Sequence, residues 1–113
     1  MRAPRLSRRL VLQEVRRLSD GAGGVAAAEW DDVAVLWAGL RPVSGREQLS
    51  DEENLAQVQW RATLRGAPVG SPLRPRPDQR LREGARVFTI LAVAEADPDG
   101  RYLTCFCREE SPR

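Results

Sequence analysis

The sequence predicts a mainly β protein, a small β-barrel or sandwich with one short helix inserted between strands and a long proline- and arginine-rich loop. Three observations predict it. Stretches 32–40, 58–65, 86–94 and 101–108 are of strand length and rich in alternating or continuous apolar residues. Gly, Pro and Asp clusters punctuate the chain between them. A length of 113 residues suits one domain with one modest core, spanning 1–113, with 1–5 and 109–113 expected to fray.

The elements follow in order. Residues 6–19 permit both a strand and a helix, and the β-branched Val11 and Val15 favour the strand. The Asp20-Gly21-Ala22-Gly23-Gly24 tract is a turn. Trp30, Asp31 and Asp32 lead into Val33-Ala34-Val35-Leu36-Trp37-Ala38-Gly39-Leu40, apolar on both alternating faces. Such a run is expected to be a central strand buried on both sides. Pro42 and Gly45 end it. Ser44 with Glu47, and Ser50 with Glu53, have capping-box spacing, so a short helix is expected within 45–56.

In 58–65, Val58, Trp60, Ala62 and Leu64 alternate with polar residues, the pattern of a half-buried strand. Gly66 ends it. Residues 67–82 hold Pro68, Pro72, Pro75 and Pro77. Proline lacks the amide donor a central strand needs, so this tract is expected to be a long loop. The last two strands form a hairpin about Asp97-Pro98-Asp99-Gly100. In it, Phe88, Ile90 and Ala92 are expected on one face and Val87, Leu91 and Val93 on the other. Leu103, Cys105 and Cys107 share a face in the final strand.

The chemistry available is narrow. All 18 basic residues are Arg, against 16 acidic ones, and there is no His. Histidine acid–base catalysis and histidine metal ligation are therefore excluded, as are lysine Schiff bases and phosphate-loop lysines. The carboxylate pairs, Asp31-Asp32, Glu52-Glu53 and Asp97/Asp99, sit at turns or caps, where structure accounts for them. Cys105 and Cys107 are two ligands where tetrahedral zinc needs four, and residues i and i+2 of a strand are poorly placed to bridge. Packed core thiols are the better reading. No enzymatic activity and no cofactor are expected. No apolar run reaches the ~18 residues of a membrane span, and no signal peptide is expected, since the residues after the basic N-terminus are Arg-rich.

Charge placement says more than charge sum. Six Arg lie in the first 17 residues and five between Arg74 and Arg86, whereas Glu47, Asp51, Glu52 and Glu53 cluster. Separate basic and acidic zones suit head-to-tail contact between identical subunits. Trp37 and Trp60 lie in apolar register and read as core. Trp30, beside two aspartates, is the tryptophan expected at an interface.

The order of elements resembles a known family. Trp30, then Val35-Leu36-Trp37-Ala38-Gly39-Leu40 and Ser44-Gly45-Arg46-Glu47, is similar to a signature of the tailed-phage head closure family, also called head-tail joining, adaptor or stopper proteins. The strand Val58-Gln59-Trp60-Arg61-Ala62-Thr63-Leu64-Arg65, the block Val87-Phe88-Thr89-Ile90-Leu91-Ala92-Val93 after Arg80-Leu81, and the ending 101–109 follow in family order. The proline-rich loop and the missing aromatic after Arg65 depart from the pattern.

The resemblance implies a β-barrel whose copies form a closed ring, sixfold or twelvefold, at the portal vertex. It implies a portal or adaptor protein above, a tail terminator or tail tube protein below, and double-stranded DNA in the channel. The ring would join head to tail and help retain packaged DNA in the neck of a virion, phage-like particle or gene transfer agent, assembled in the bacterial cytoplasm. By the same analogy Arg74, Arg76, Arg80 and Arg82 become a channel or partner-docking loop. Glu47, Asp51, Glu52, Glu53 and Trp30 become a subunit interface. The alternative is a small OB- or SH3-like barrel that binds single-stranded nucleic acid through Arg and an exposed Trp.

Overall fold

A computed structural model describes residues 3–19, 21, 25–43 and 58–110. Its regular structure consists of six strands: β1 (Arg8–Ser19), β2 (Val25–Pro42), β3 (Gln59–Arg65), β4 (Arg80–Glu83), β5 (Arg86–Glu95) and β6 (Tyr102–Glu109). All neighbouring pairs are antiparallel, and the ladder closes as a barrel in the order β1-β2-β3-β6-β5-β4. The mainly β expectation holds. The expected helix within 45–56 lies outside the described residues.

Closure follows from alternation. Leu10, Leu12, Ala38, Ala62, Leu64, Leu81, Phe88, Ile90, Leu103, Cys105 and Cys107 all turn inward and are essentially inaccessible. Every strand contributes to this core, so a one-residue slip in any of them would expose its apolar set. Trp60 packs against the core and meets Phe88 edge-to-face, with ring centroids 6.0 Å apart and planes at 82°. Burial pushes the Cys105 thiol up to about 12, and Cys107 also upward. The packed-thiol reading is therefore the one the fold supports.

The structure corrects four expectations. First, β2 is not buried on both sides: Val35 is 46% and Trp37 54% exposed. A closed barrel has one interior, and the outer face of β2 is not covered there. Trp37 is consequently not a core residue. Second, residues 80–83 form a strand, not part of the loop. Four residues flanked by a Pro-Arg tract and a Gly84 turn are too short to show periodicity. Third, the ladder shifts register between Ile90 and Ala92. This β-bulge flips the alternation, so Ala92 turns outward and Val93 joins the core. Fourth, Glu109 is not frayed but ends β6, and the Glu110 amide donates to the Val87 carbonyl at 2.9 Å.

β1 is a strand, as its β-branched residues favoured. It and β2 run on well past the barrel. β4 pairs with β1 only at Val11–Gln13, and β3 pairs with β2 only at Ala38–Pro42. Beyond these, residues 14–19 and 25–31 pair only with each other. They form a two-stranded arm, roughly 20 Å long at 3.4 Å per residue. A register shift between Leu12 and Gln13 marks the place where the arm leaves the barrel.

The 66–79 segment is a well-tied strap. The Ser71 amide donates to Pro68 O at 3.0 Å, and the Arg74 amide to Ser71 O at 3.0 Å. Pro75 is fully buried. The amides of Asp78 and Ile90 anchor the end of the strap to β5, donating to Ile90 O at 3.1 Å and Gln79 O at 3.0 Å. Gly66, where β3 gives way to the strap, has a steric reason. A Cβ there would overlap the Gly100 carbonyl oxygen and lie 3.1 Å from the Arg101 carbonyl.

Candidate assembly surfaces

The base of the arm is a polar joint. Gln13, 5% exposed, donates through Nε2 to Asp32 Oδ1 at 2.7 Å and accepts at Oε1 from Arg80 Nε at 2.7 Å. The Arg80 guanidinium lies over the Trp30 ring, 4.1 Å from its centroid. Burial lowers the Arg80 pKa, partly opposed by Glu110. Thus Arg80 and Trp30, expected in two different surfaces, meet in one joint. It fixes the arm to β4, and Trp30 is partly buried there.

The other predicted arginines separate in the same way. Arg82 is on β4, and its Nη1 donates to Gly84 O at 3.0 Å. Arg74 Nη1 donates to Ala67 O at 3.0 Å, which closes the strap on itself. Arg76 reaches the arm, where its Nη2 meets Glu14 Oε1 at 2.8 Å. Its backbone amide donates to Oε1 of buried Gln79 at 2.7 Å. Arg74 and Arg76 line one cleft of about 330 Å³ together with Glu14, Val33, Val69 and Gln79. Glu47, Asp51, Glu52 and Glu53 lie outside the described residues.

A second charge cluster closes the barrel at one rim. Arg8 of β1 grips Glu83 of β4 with both ends of its fork, at 2.7 and 2.6 Å. Arg86 of β5 grips Glu109 of β6 at 2.8 and 3.1 Å. Arg86 also approaches Glu83 at 3.6 Å, so the four residues form one chain across four strands. The hydrogen bonds from Arg8 and Arg86 hold Glu83 and Glu109, respectively, below the usual carboxylate range.

On the opposite edge of β2, sequence reasoning missed an exposed surface around Trp37. A groove of about 260 Å³ runs there between Val35, Leu36, Trp37, Leu64, Arg65, Ala67 and Leu73. The residue pattern of β2 is apolar on both faces, so only the closure of the barrel reveals which face is outside. Among the described residues, no group of three or more His, Cys, Asp or Glu is placed to hold a metal ion.

Fold and surface together define a small closed β-barrel protein with a projecting ribbon and a strapped flank. Comparison with known proteins narrows this. A family model described as phage head completion protein matches residues 1–110, so the chain belongs to the phage head completion protein family. A chain from the virion of a native gene transfer agent particle is 50% identical, over 96% of this chain and 98% of that one, with a TM-score of 0.80. A protein of Shigella flexneri 2a, solved in solution, shares the fold at 24% identity and a TM-score of 0.73, with both chains covered in full. No curated protein matches. The family resemblance carried by the strand motifs is borne out.

Proposed function

We propose that this chain is a structural component of a phage-like or gene-transfer-agent particle, where it completes the head. Copies form a closed ring at the portal vertex, join head to tail and help retain the packaged DNA. The observation that carries this reading is the 50% identity, over nearly the full length of both chains, with a chain of a gene transfer agent virion. The fold is consistent with it. A rigid barrel sets the spacing of copies, and the arm and strap reach beyond it to neighbours. The strap, with Arg74 and Arg76 beside its cleft, is the element that meets the next component of the particle or the channel.

Removal of the gene tests the reading. Heads that fill with DNA but lack tails and lose their DNA to nuclease are the expected result. Particles with normal tails and protected DNA would refute it. Mass spectrometry of purified particles should find the chain as a stoichiometric component.

A further inference from the structure

The outer face of the barrel carries one row of side chains across four strands. Arg9 of β1 lies directly opposite Trp37 of β2, and Arg65 of β3 directly opposite Tyr102 of β6. Residues paired in this way present their side chains on the same face. Trp37 and Arg65 line the same groove, so the row reads Arg9, Trp37, Arg65, Tyr102. Beside it, the N-terminal segment crosses β2 at Gly39, where a Cβ would stand 2.7 Å from the Arg5 carbonyl oxygen. This brings Arg5, also exposed, to the same side. Val35 and Leu73, 46% and 53% exposed, supply apolar area. Among the described residues, no carboxylate lines the groove. An exposed Trp and Arg around an apolar groove, with a partly buried Tyr beside them, have the composition of an interface hot spot, here with a cationic border.

The arm has the complementary character. On one face of its described lower half, residues 14–17 and 28–31, Glu14, Glu29 and Asp31 stand with Arg16, while Arg17 lies on the other face. Arg16 bridges Glu29 at 2.6 Å and Asp31 at 3.2 Å, and all three are about half exposed. Arg76 also meets Glu14, so this face of the ribbon keeps an acidic excess of one charge, at Glu29 and Asp31. A two-stranded ribbon is also marginally stable by itself and gains from being covered. Glu29 and Trp37 are eight residues apart on β2, about 27 Å along an extended strand. The arm therefore cannot fold back onto the groove of its own barrel, and a copy that offers its arm keeps its groove free.

We propose that the Arg9–Trp37–Arg65–Tyr102 patch receives the acidic arm of a second copy, so that copies join head to tail. The proposal rests on the ring reading above and specifies its interface. Such a contact is heterologous, and repeated at a fixed rotation it closes a ring.

Paired cysteines test it. The chain carries no lysine, and its native thiols are buried, so Arg9→Cys with Glu29→Cys gives a clean cross-link in assembled particles. A short thiol cross-linker should yield a ladder of multimers for the double variant and none for either single variant. Peptide mapping should join position 9 of one copy to position 29 of another. Arg9→Glu with Arg65→Glu should weaken multimerisation by roughly tenfold or more, since like charges then meet. Adding Glu29→Arg and Asp31→Arg to the same chain should restore it. Circular dichroism checks that these exposed substitutions leave the fold intact.

Multimers of native mass without the position 9–29 link would overturn the interface while leaving the ring standing. Multimers from an Arg9→Cys with Glu52→Cys double variant, in place of those from the 9–29 pair, would likewise overturn it. So would charge reversal that spares multimerisation but exposes packaged DNA to nuclease, which would assign the patch to DNA. A chain released from particles only as a monomer would instead refute the ring reading itself.

Discussion

Glu83→Gln should lower the stability of the barrel by about 1.5–2 kcal/mol at neutral pH and by almost nothing in acid. The carboxylate sits on β4, the four-residue strand that closes the ladder between β1 and β5. It accepts both arms of the Arg8 fork, at 2.7 and 2.6 Å, with Arg86 a further 3.6 Å away. An exposed ion pair contributes about 0–1 kcal/mol, and a hydrogen bond to a charged group about 1.5–3. The Glu83 side chain is 26% exposed and that of Arg8 36%, so solvent screening sets the figure near the lower end of the second range. At roughly 1–3 kcal/mol per molar of urea, the unfolding midpoint should fall by about 1 M.

The pH dependence follows from the direction of the shifts. Glu83 and Glu109 are both held below the ordinary carboxylate value of 4.5. Such groups bind protons more readily in the unfolded chain. Their stabilisation is fully present above pH 4.5 and is lost as pH falls through their lower folded values. Urea titrations followed by tryptophan fluorescence should therefore show wild type and Glu83→Gln well separated at pH 7 and converging towards pH 3. A gap at pH 3 as large as that at pH 7 would refute the role of the charged rim.

Gly66→Ala should cost about 2–4 kcal/mol, because the Gly100–Arg101 backbone blocks the new methyl and the 2.7 Å bond from the Gly66 amide to Arg101 O is strained or lost. Gly84→Ala, with nothing within 4 Å but a φ of +59°, should cost only about 1 kcal/mol, and equal melting temperatures for the two variants would contradict the packing. Arg80→Ala should leave the barrel folded but free the arm. Amide exchange should rise in 14–17 and 28–31 and stay low in β5 and β6, and uniform exchange would refute the joint. Cys105 and Cys107 should resist a thiol reagent at pH 8 in the native protein and react fully in denaturant, as thiols raised by burial require.

Most of the barrel was legible in the sequence, and the reason is local. Ala62 with Leu64, and Leu103 with Cys105 and Cys107, alternate at period two within single strands, so pattern alone identifies their inward face. What escaped depends on contacts between strands. Residues 80–83 become β4 only through pairing with Val11–Gln13 and 86–89. The face exchange at Leu91 comes from a bulge that a strict alternation cannot contain. Trp37 escaped for a third reason. An apolar side chain on a doubly apolar strand carries no sign of which side the barrel will enclose. Of the expected site, Trp30 and Arg80 were assigned to two different surfaces and not as partners, since 50 residues of chain separate them and only closure of the sheet brings them to 4.1 Å.

The same distinction bears on how the molecule divides its stability. The barrel buries an apolar contribution from every strand and ties its rim with a charge chain, so it is expected to fold without partners. The arm has no such core. Among its described side chains, Val15 faces Trp30 and Arg16 faces Glu29 on a ribbon that no other strand covers. A ribbon of this kind opens locally at low free energy while the barrel stays intact. If the arm ordered only on a neighbour, assembly would bear that ordering cost once per contact and would proceed only where copies are already concentrated. The joint at Arg80 counters this by presetting the direction of the arm, which lowers the cost without removing the arm's freedom at its far end. Weakening the joint by Trp30→Ala should therefore slow multimerisation more than it destabilises the barrel. An effect on unfolding as large as that on assembly would place Trp30 in the core and not in the joint.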